Sequence, residues 1–205
     1  MDRFISGLDK ALRVVAGISV PSRPNPAAHI LEASLSVEER RHSAGLMRVN
    51  HTGEVCAQAL YDAQGQFSQC DAIKQQFEAA GREEEDHLAW TAERLSQLGS
   101  HPSVFNPLWY AGAFAMGAVA ARLGPRKNLA FVVETERQVE AHLASHLKDL
   151  PAQDVKSKAI VEQMRVDEAA HGAAAKSLGA SEMSKVVSSL MTLASKVMIK
   201  TAYRL

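Results

Sequence analysis

Two short stretches of this chain carry metal-ligand residue types at a spacing that lets them act together. Glu84 and His87 lie within Glu83-Glu84-Glu85-Asp86-His87, and Glu168 and His171 within Asp167-Glu168-Ala169-Ala170-His171. Each is Glu-x-x-His. Residues three apart on a helix share a face, so each copy aims a carboxylate and an imidazole at one point. Oxygen and imidazole donors without thiolate suit iron or manganese better than a structural zinc site. Apolar phasing decides which way these residues face. Around the second copy the inward stripe reads Val161, Met164, Glu168, His171, Ala175, Leu178; around the first, Phe77, Ala80, Glu84, His87, Thr91, Leu95, Leu98. In both, Glu and His stand where the helical period calls for a hydrophobe. A carboxylate in a core is costly unless it is paired or bound to a cation. Glu83, Glu85 and Asp86 are out of phase and are assigned to a solvated face.

Two further carboxylates interrupt apolar stripes. Glu54 sits among Leu46, Val49, Asn50, Gly53, Ala57, Leu60 and Tyr61, with Asn50 and Tyr61 as candidate hydrogen-bond partners. Glu136 sits among Leu129, Val132, Val133, Val139, Leu143, Leu147 and Leu150. Glu140, about 40° off that stripe, is its rival. Glu134 points away, and His142 is also off the stripe. The order is thus Glu54; Glu84 with His87; Glu136; Glu168 with His171, a twofold internal repeat. This is the ligand pattern of ferritin-like di-iron or di-manganese carboxylate proteins. Four buried carboxylates alone would repel one another and take up protons; two divalent ions would balance them.

The elements that must position these residues are helical. Twelve glycines and seven prolines in 205 residues leave room for long helices. The length suits one domain with a sizeable core. The predicted bundle helices are 37–66, opened by a Ser36/Glu39 capping box; 71–98, closed by Gly99; 125–150, with Pro125 in its first turn; and 152–178, closed by Gly179. Between the second and third bundle helices, residues 108–121 carry no charge. They are too few to span a bilayer. They read as a buried crossover or, given Trp109, Tyr110, Arg122, Arg126 and Lys127 at their ends, as an interfacial segment. A last helix, 181–203, has an apolar face from Met183 to Met198 and a basic side of Lys185, Lys196, Lys200 and Arg204. Residues 1–27 form a separate segment: an amphipathic stretch with Phe4, Ile5, Leu8, Leu12 and Val15 on one face, then a Pro-rich connector. That face docks on the body or touches a membrane surface. Residues 28–205 form the metal-binding domain.

A formal net charge of zero removes the electrostatic case for nucleic acid. Cys56 and Cys70 make neither a disulfide framework nor a C-x-x-C pair, and fit a reducing compartment. No secretory signal or transit peptide is evident.

The stretch Arg48-Val49-Asn50-His51-Thr52-Gly53-Glu54 resembles the first-helix signature of the demethoxyubiquinone hydroxylase family. Glu84-x-x-His87, Glu136 followed by His142, and Asp167-Glu168-x-x-His171 also match, and the resemblance covers about residues 30–205. It departs from the family at Asn50, where many members have Asp, and at Leu143, where many have an aromatic residue. The resemblance implies an all-α, ferritin-like four-helix bundle with an apolar crossover between helices two and three and an extra C-terminal helix. It implies Glu54, Glu84, His87, Glu136, Glu168 and His171 as ligands of two iron ions, and places His142 near the site. It implies a monooxygenase that uses dioxygen and a reductant, NADH or another donor, to hydroxylate the ring of a polyprenyl quinone in ubiquinone biosynthesis. Such an enzyme would sit peripherally on the cytoplasmic face of the bacterial membrane. Other ubiquinone-biosynthesis proteins would be its partners, and self-association stays open. The alternatives are a manganese catalase, a tRNA-modifying hydroxylase and a non-catalytic iron-binding protein.

Overall fold

The structure, a computed structural model, describes residues 2–205, with the side chains of residues 2–4 and 6 left aside. Phe4 of the amphipathic stretch therefore lies outside the described side chains. The elements are α1 (Asp2–Val15), α2 (Val37–Phe67), α3 (Asp71–Gln97), α4 (Asn106–Arg122), α5 (Pro125–Asp149), α6 (Val155–Ser177) and α7 (Lys185–Ala202). Among the described residues there is no strand. The caps explain the boundaries. At the start of α2 the Glu39 amide donates to Ser36 Oγ at 3.1 Å, and the Ser36 amide donates to the Glu39 carboxylate at 2.9 Å. This is a reciprocal capping box. Gly99 and Gly179 adopt left-handed φ of 71° and 95° just past α3 and α6. Helix α6 starts three residues later than expected because Asp154, not the chain after Pro151, caps it by accepting from the Ser157 amide. Likewise Ser184 caps α7 by accepting from the Val187 amide, so 181–184 stay outside the helix.

Helices α2, α3, α5 and α6 form the bundle, with α2 packed on α3 and α5 on α6. Helix α4 crosses between the halves and lies along α2. The approach is close: a Cβ added at Gly117 would meet the Leu60 carbonyl oxygen at 2.9 Å. With α3 on one side and α4, α5 and α7 against the others, α2 is buried almost all round rather than along one stripe. The bundle core has an apolar zone at each end, with a third cluster where α2 meets α3 and α4. Met47, Trp90, Leu143, Ile160 and Met164 pack at one end. Tyr61, Phe77, Leu129, Val132 and Ala175 pack at the other. Each bundle helix passes from one zone to the other, and its interrupting carboxylate falls between them. Leu178, expected on the inward stripe, is exposed because α6 has ended beneath it.

The N-terminal segment lies against the body. Lys10 pairs with Asp62 at 2.6 Å, while Ile5, Leu8 and Leu12 face outward. The connector after it crosses α3, where Asn25 donates to Glu93 at 2.8 Å and Glu32 accepts from Arg94 at 2.6 and 3.0 Å.

Candidate metal centre

Between the two apolar zones the four bundle helices turn six donor residues inward. One ligand atom each from Glu54, Glu84, His87 and Glu168 lies within 4.8 Å of the others, all buried. His87 Nδ1 is 3.4 Å from Glu54, 3.3 Å from Glu84 and 3.4 Å from Glu168. His171 Nδ1 is 3.4 Å from both Glu84 and Glu168. Glu136 completes the group from α5. Its carboxyl meets that of Glu168, and it accepts a short hydrogen bond from the Tyr61 hydroxyl. Helix α6 comes close here because Gly172 has no side chain: a Cβ there would sit 3.3 Å from Glu136 Cβ.

The donor set is short of partners. Glu54 Oε2, Glu84 Oε1, Glu136 Oε2, both Glu168 oxygens and His171 Nδ1 are buried with no protein hydrogen-bond partner. Unpartnered buried carboxylate oxygens are expensive in a finished core. Protonation tells the same story. Burial, reinforced by Glu84, pushes Glu54 well above the usual carboxylate range. Burial and Glu168 do the same to Glu136. Burial acts against ionised Glu84 and Glu168 too, but the facing imidazoles of His171 and His87 hold both below that range. Burial opposes a charge on the histidines. The surrounding carboxylates prevail, raising His87 well above its ordinary value and His171 to about 12. Without metal, the shifts favour protons on Glu54, Glu136 and the two rings over four bare carboxylates. Two divalent cations can replace those four positive charges, so the residues present fit a di-metal site.

Several flanking assignments are corrected. Asp86 is not on a solvated face: it is fully buried and bound by the connector at Ser22 and Arg23. Glu83 is only half exposed, with a carboxylate oxygen 3.4 Å from His171 Nε2. Asn50 does not reach Glu54. It accepts from His146 Nδ1 at 2.7 Å, because α5 brings His146 against that turn of α2. Tyr61, its counterpart, bonds to Glu136 rather than Glu54. Glu140 points out of the group to Arg165. His142 stacks edge-on against His146 with ring centroids 3.9 Å apart. Burial keeps both rings neutral, His146 down to about 3. His51 and Thr91 were missed as a pair. Thr91 donates to the His87 carbonyl and accepts from His51 Nδ1 at 2.9 Å, tying α2 to the turn that carries His87. The only sign of it in the sequence was Thr91 standing on an inward stripe.

Beside the centre lies an apolar cavity of about 450 Å³ between α2, α4, α5 and α7. Trp109, Met116, Phe131 and Met198 furnish apolar wall. Glu54 lies in its lining, as do the polar side chains of Asn50, Thr135, Gln138 and His142. Leu108, Met116 and Val119 on α4, and Val186, Leu190, Leu193 and Val197 on α7, are exposed. Among the described residues no helix is long and apolar enough to cross a membrane.

The family model described as "Ubiquinone biosynthesis protein COQ7" matches residues 41–202, which hold all six donors. The chain belongs to this family. Relatives along the whole length agree. A protein from Herminiimonas arsenicoxydans named 3-demethoxyubiquinol 3-hydroxylase is 64% identical over 98% of this chain and 96% of its own. Proteins of the same name from Janthinobacterium sp. (strain Marseille) and Herbaspirillum seropedicae are 64% and 60% identical, each over 100% of this chain and at least 98% of their own. The all-helical bundle and the buried Glu/His cluster are thus those of a COQ7 family member.

Proposed function

We propose that this chain is a dioxygen-dependent di-iron monooxygenase that hydroxylates the ring of a demethoxyubiquinol-type polyprenyl quinol. The observation that carries the reading is the apolar cavity with Glu54 in its wall, which puts room for a lipid ring beside the cluster of unpartnered donors. Glu54, Glu84, His87, Glu136, Glu168 and His171 hold two irons. When bound, these supply electrons and Lewis acidity to dioxygen. Ring C–H becomes C–OH, the second oxygen leaves as water, and the two electrons come from a reductant, NADH or another donor, with the two protons drawn from the reductant and solvent.

The chain's own residues do the rest. The Tyr61 hydroxyl fixes one oxygen of Glu136 and leaves the other free. Asn50 holds His146, whose ring backs His142, so that neutral His142 presents an unpartnered Nε2 to orient a ring oxygen. Thr135 and Gln138 line the same wall with their donors already engaged, the Thr135 hydroxyl at the Phe131 carbonyl and the Gln138 amide nitrogen at Glu134 and Ser188. The apolar remainder of the cavity excludes water and takes the first part of the tail. The rest of the tail stays in lipid if the exposed apolar residues of α4 and α7 lie on a membrane surface. The basic side of α7 would face headgroup phosphates, on the cytoplasmic face. Residues 28–205 act as the metal-binding domain and 1–27 as its N-terminal attachment.

The test is iron analysis of the purified chain alongside product analysis with a demethoxyquinol, dioxygen and a reductant. About two irons per chain and one ring hydroxyl gained is the expected result. Peroxide disproportionation without quinol hydroxylation would instead favour a manganese catalase reading.

A further inference from the structure

The two histidines of the centre are held from outside in a crossed pattern. Both turn Nδ1 toward the carboxylate cluster and Nε2 away from it. His87 Nε2 lies 2.9 Å from Asp167 on α6, and His171 Nε2 lies 3.4 Å from Glu83 on α3. Asp167 immediately precedes Glu168, and Glu83 immediately precedes Glu84. Each helix therefore carries, one residue before its inward Glu, the acid that faces the other helix's histidine. The repeated unit is acid-Glu-x-x-His, and its two copies embrace.

A single side chain from outside the repeat faces both acids. Arg23 Nη2 donates to the same Asp167 oxygen that His87 uses, at 2.9 Å, and Arg23 Nη1 lies 3.8 Å from Glu83. The guanidinium is itself fixed. Its Nε donates to buried Asp86 at 2.6 Å, and the Ser22 and Arg23 amides donate to the other Asp86 oxygen at 2.5 and 3.2 Å. Its flat face lies 5.0 Å from the centre of the Trp90 ring, which in turn packs on His87. An acid that accepts from the outer nitrogen of a metal-facing imidazole sets its tautomer and orientation, and losing such a partner costs roughly 10–100-fold in metal affinity. Arginine suits the task because its fork reaches several carboxylates at once.

We propose that Arg23, delivered by the N-terminal connector, is a positioning residue for both histidines of the metal centre, acting through Asp167 and Glu83. This rests on the di-metal reading. It assigns a role at the centre to a residue that lies outside the stretch 41–202 matched by the family model.

The test uses the full chain loaded with cobalt(II). The paramagnetic ion moves the exchangeable Nε2 protons of its histidine ligands far from the other proton resonances. Two such signals are expected, one per histidine. In Arg23→Gln both should exchange with solvent about tenfold faster or more, and cobalt affinity should fall roughly tenfold or more. Arg23→Lys, which keeps charge but not the fork, should fall between. Asn25→Ala loosens the connector at Glu93 without touching either acid, and should leave both signals as in the parent. A parent-like Arg23→Gln, a response confined to one histidine, or an equal response in Asn25→Ala would each overturn the proposal. If the parent chain binds no cobalt pair, the di-metal reading fails and this proposal fails with it.

Discussion

Glu168 lies at the heart of the cluster, with neither carboxylate oxygen partnered by protein. Glu168→Ala should abolish hydroxylation and lower iron content, while helical circular dichroism stays near that of the parent, because the apolar zones on either side are untouched. Turnover at the parent rate in a fully loaded variant would contradict its assignment. The raised values of Glu54, Glu136, His87 and His171 give a second expectation. Each holds its proton more tightly than the free side chain does, so loading should release protons and tighten as pH rises. Loading in weak buffer with a pH indicator checks this. His51 gives a third. Burial lowers it to about 4 from 6.5, so the folded chain binds its proton less readily than the unfolded chain. Its contribution is complete above pH 6.5 and is lost as pH falls through 4, up to about 3 kcal/mol. In metal-free protein, His51→Asn should flatten the fall in urea midpoint between pH 7 and 4 relative to the parent.

At the scale of elements, α4 shows both faces of its composition. Tyr110, Ala113 and Gly117 bury one side against α2, while Leu108, Met116 and Val119 remain outside. Phe114 stacks on Tyr110 and meets Phe67, so changing it would test packing rather than lipid contact. The informative pair is Leu108→Asp with Val119→Asp. Binding to liposomes and activity on a long-tailed quinol should fall several-fold, while activity on a short-tailed analogue persists. Equal loss on both substrates would mean that the exposed side of α4 does not serve the membrane. The helices themselves were legible because apolar period and cap chemistry agree. The Ser36 box, Gly99 and Pro125 mark ends that the structure keeps within a residue or two. The late starts of α6 and α7 were not, because Asp154 and Ser184 compete with earlier residues for the cap and only packing chooses between them.

Across the whole molecule, what could be read from sequence was whatever repeats along one helix. The six inward donors interrupt four stripes in phase, so their convergence followed from period alone. What could not be read depends on chain far away in sequence. Asp86 looked solvated because the covering connector begins more than 60 residues earlier. Asn50 and His146 are 96 apart and meet only because α5 lies against α2. Out-of-phase positions on α2 gave no sign that a second layer, α4, would cover them.

That second layer has a consequence in time. Helix α2 is enclosed by α3, α4, α5 and α7 and opens almost no face to water. Its amide protons can meet solvent only when the surrounding helices part together, so their exchange should report the opening of the entire fold. The amides of α7, which is exposed along most of its length, need only local fraying. In deuterium exchange the mid-helix amides of α2 should be the last to label and should slow further on metal loading. Those of α7 should label early at a rate that loading barely alters. The slowest-labelling peptide would then carry Glu54, and the donor at the cavity wall would belong to the last part of the molecule to come apart.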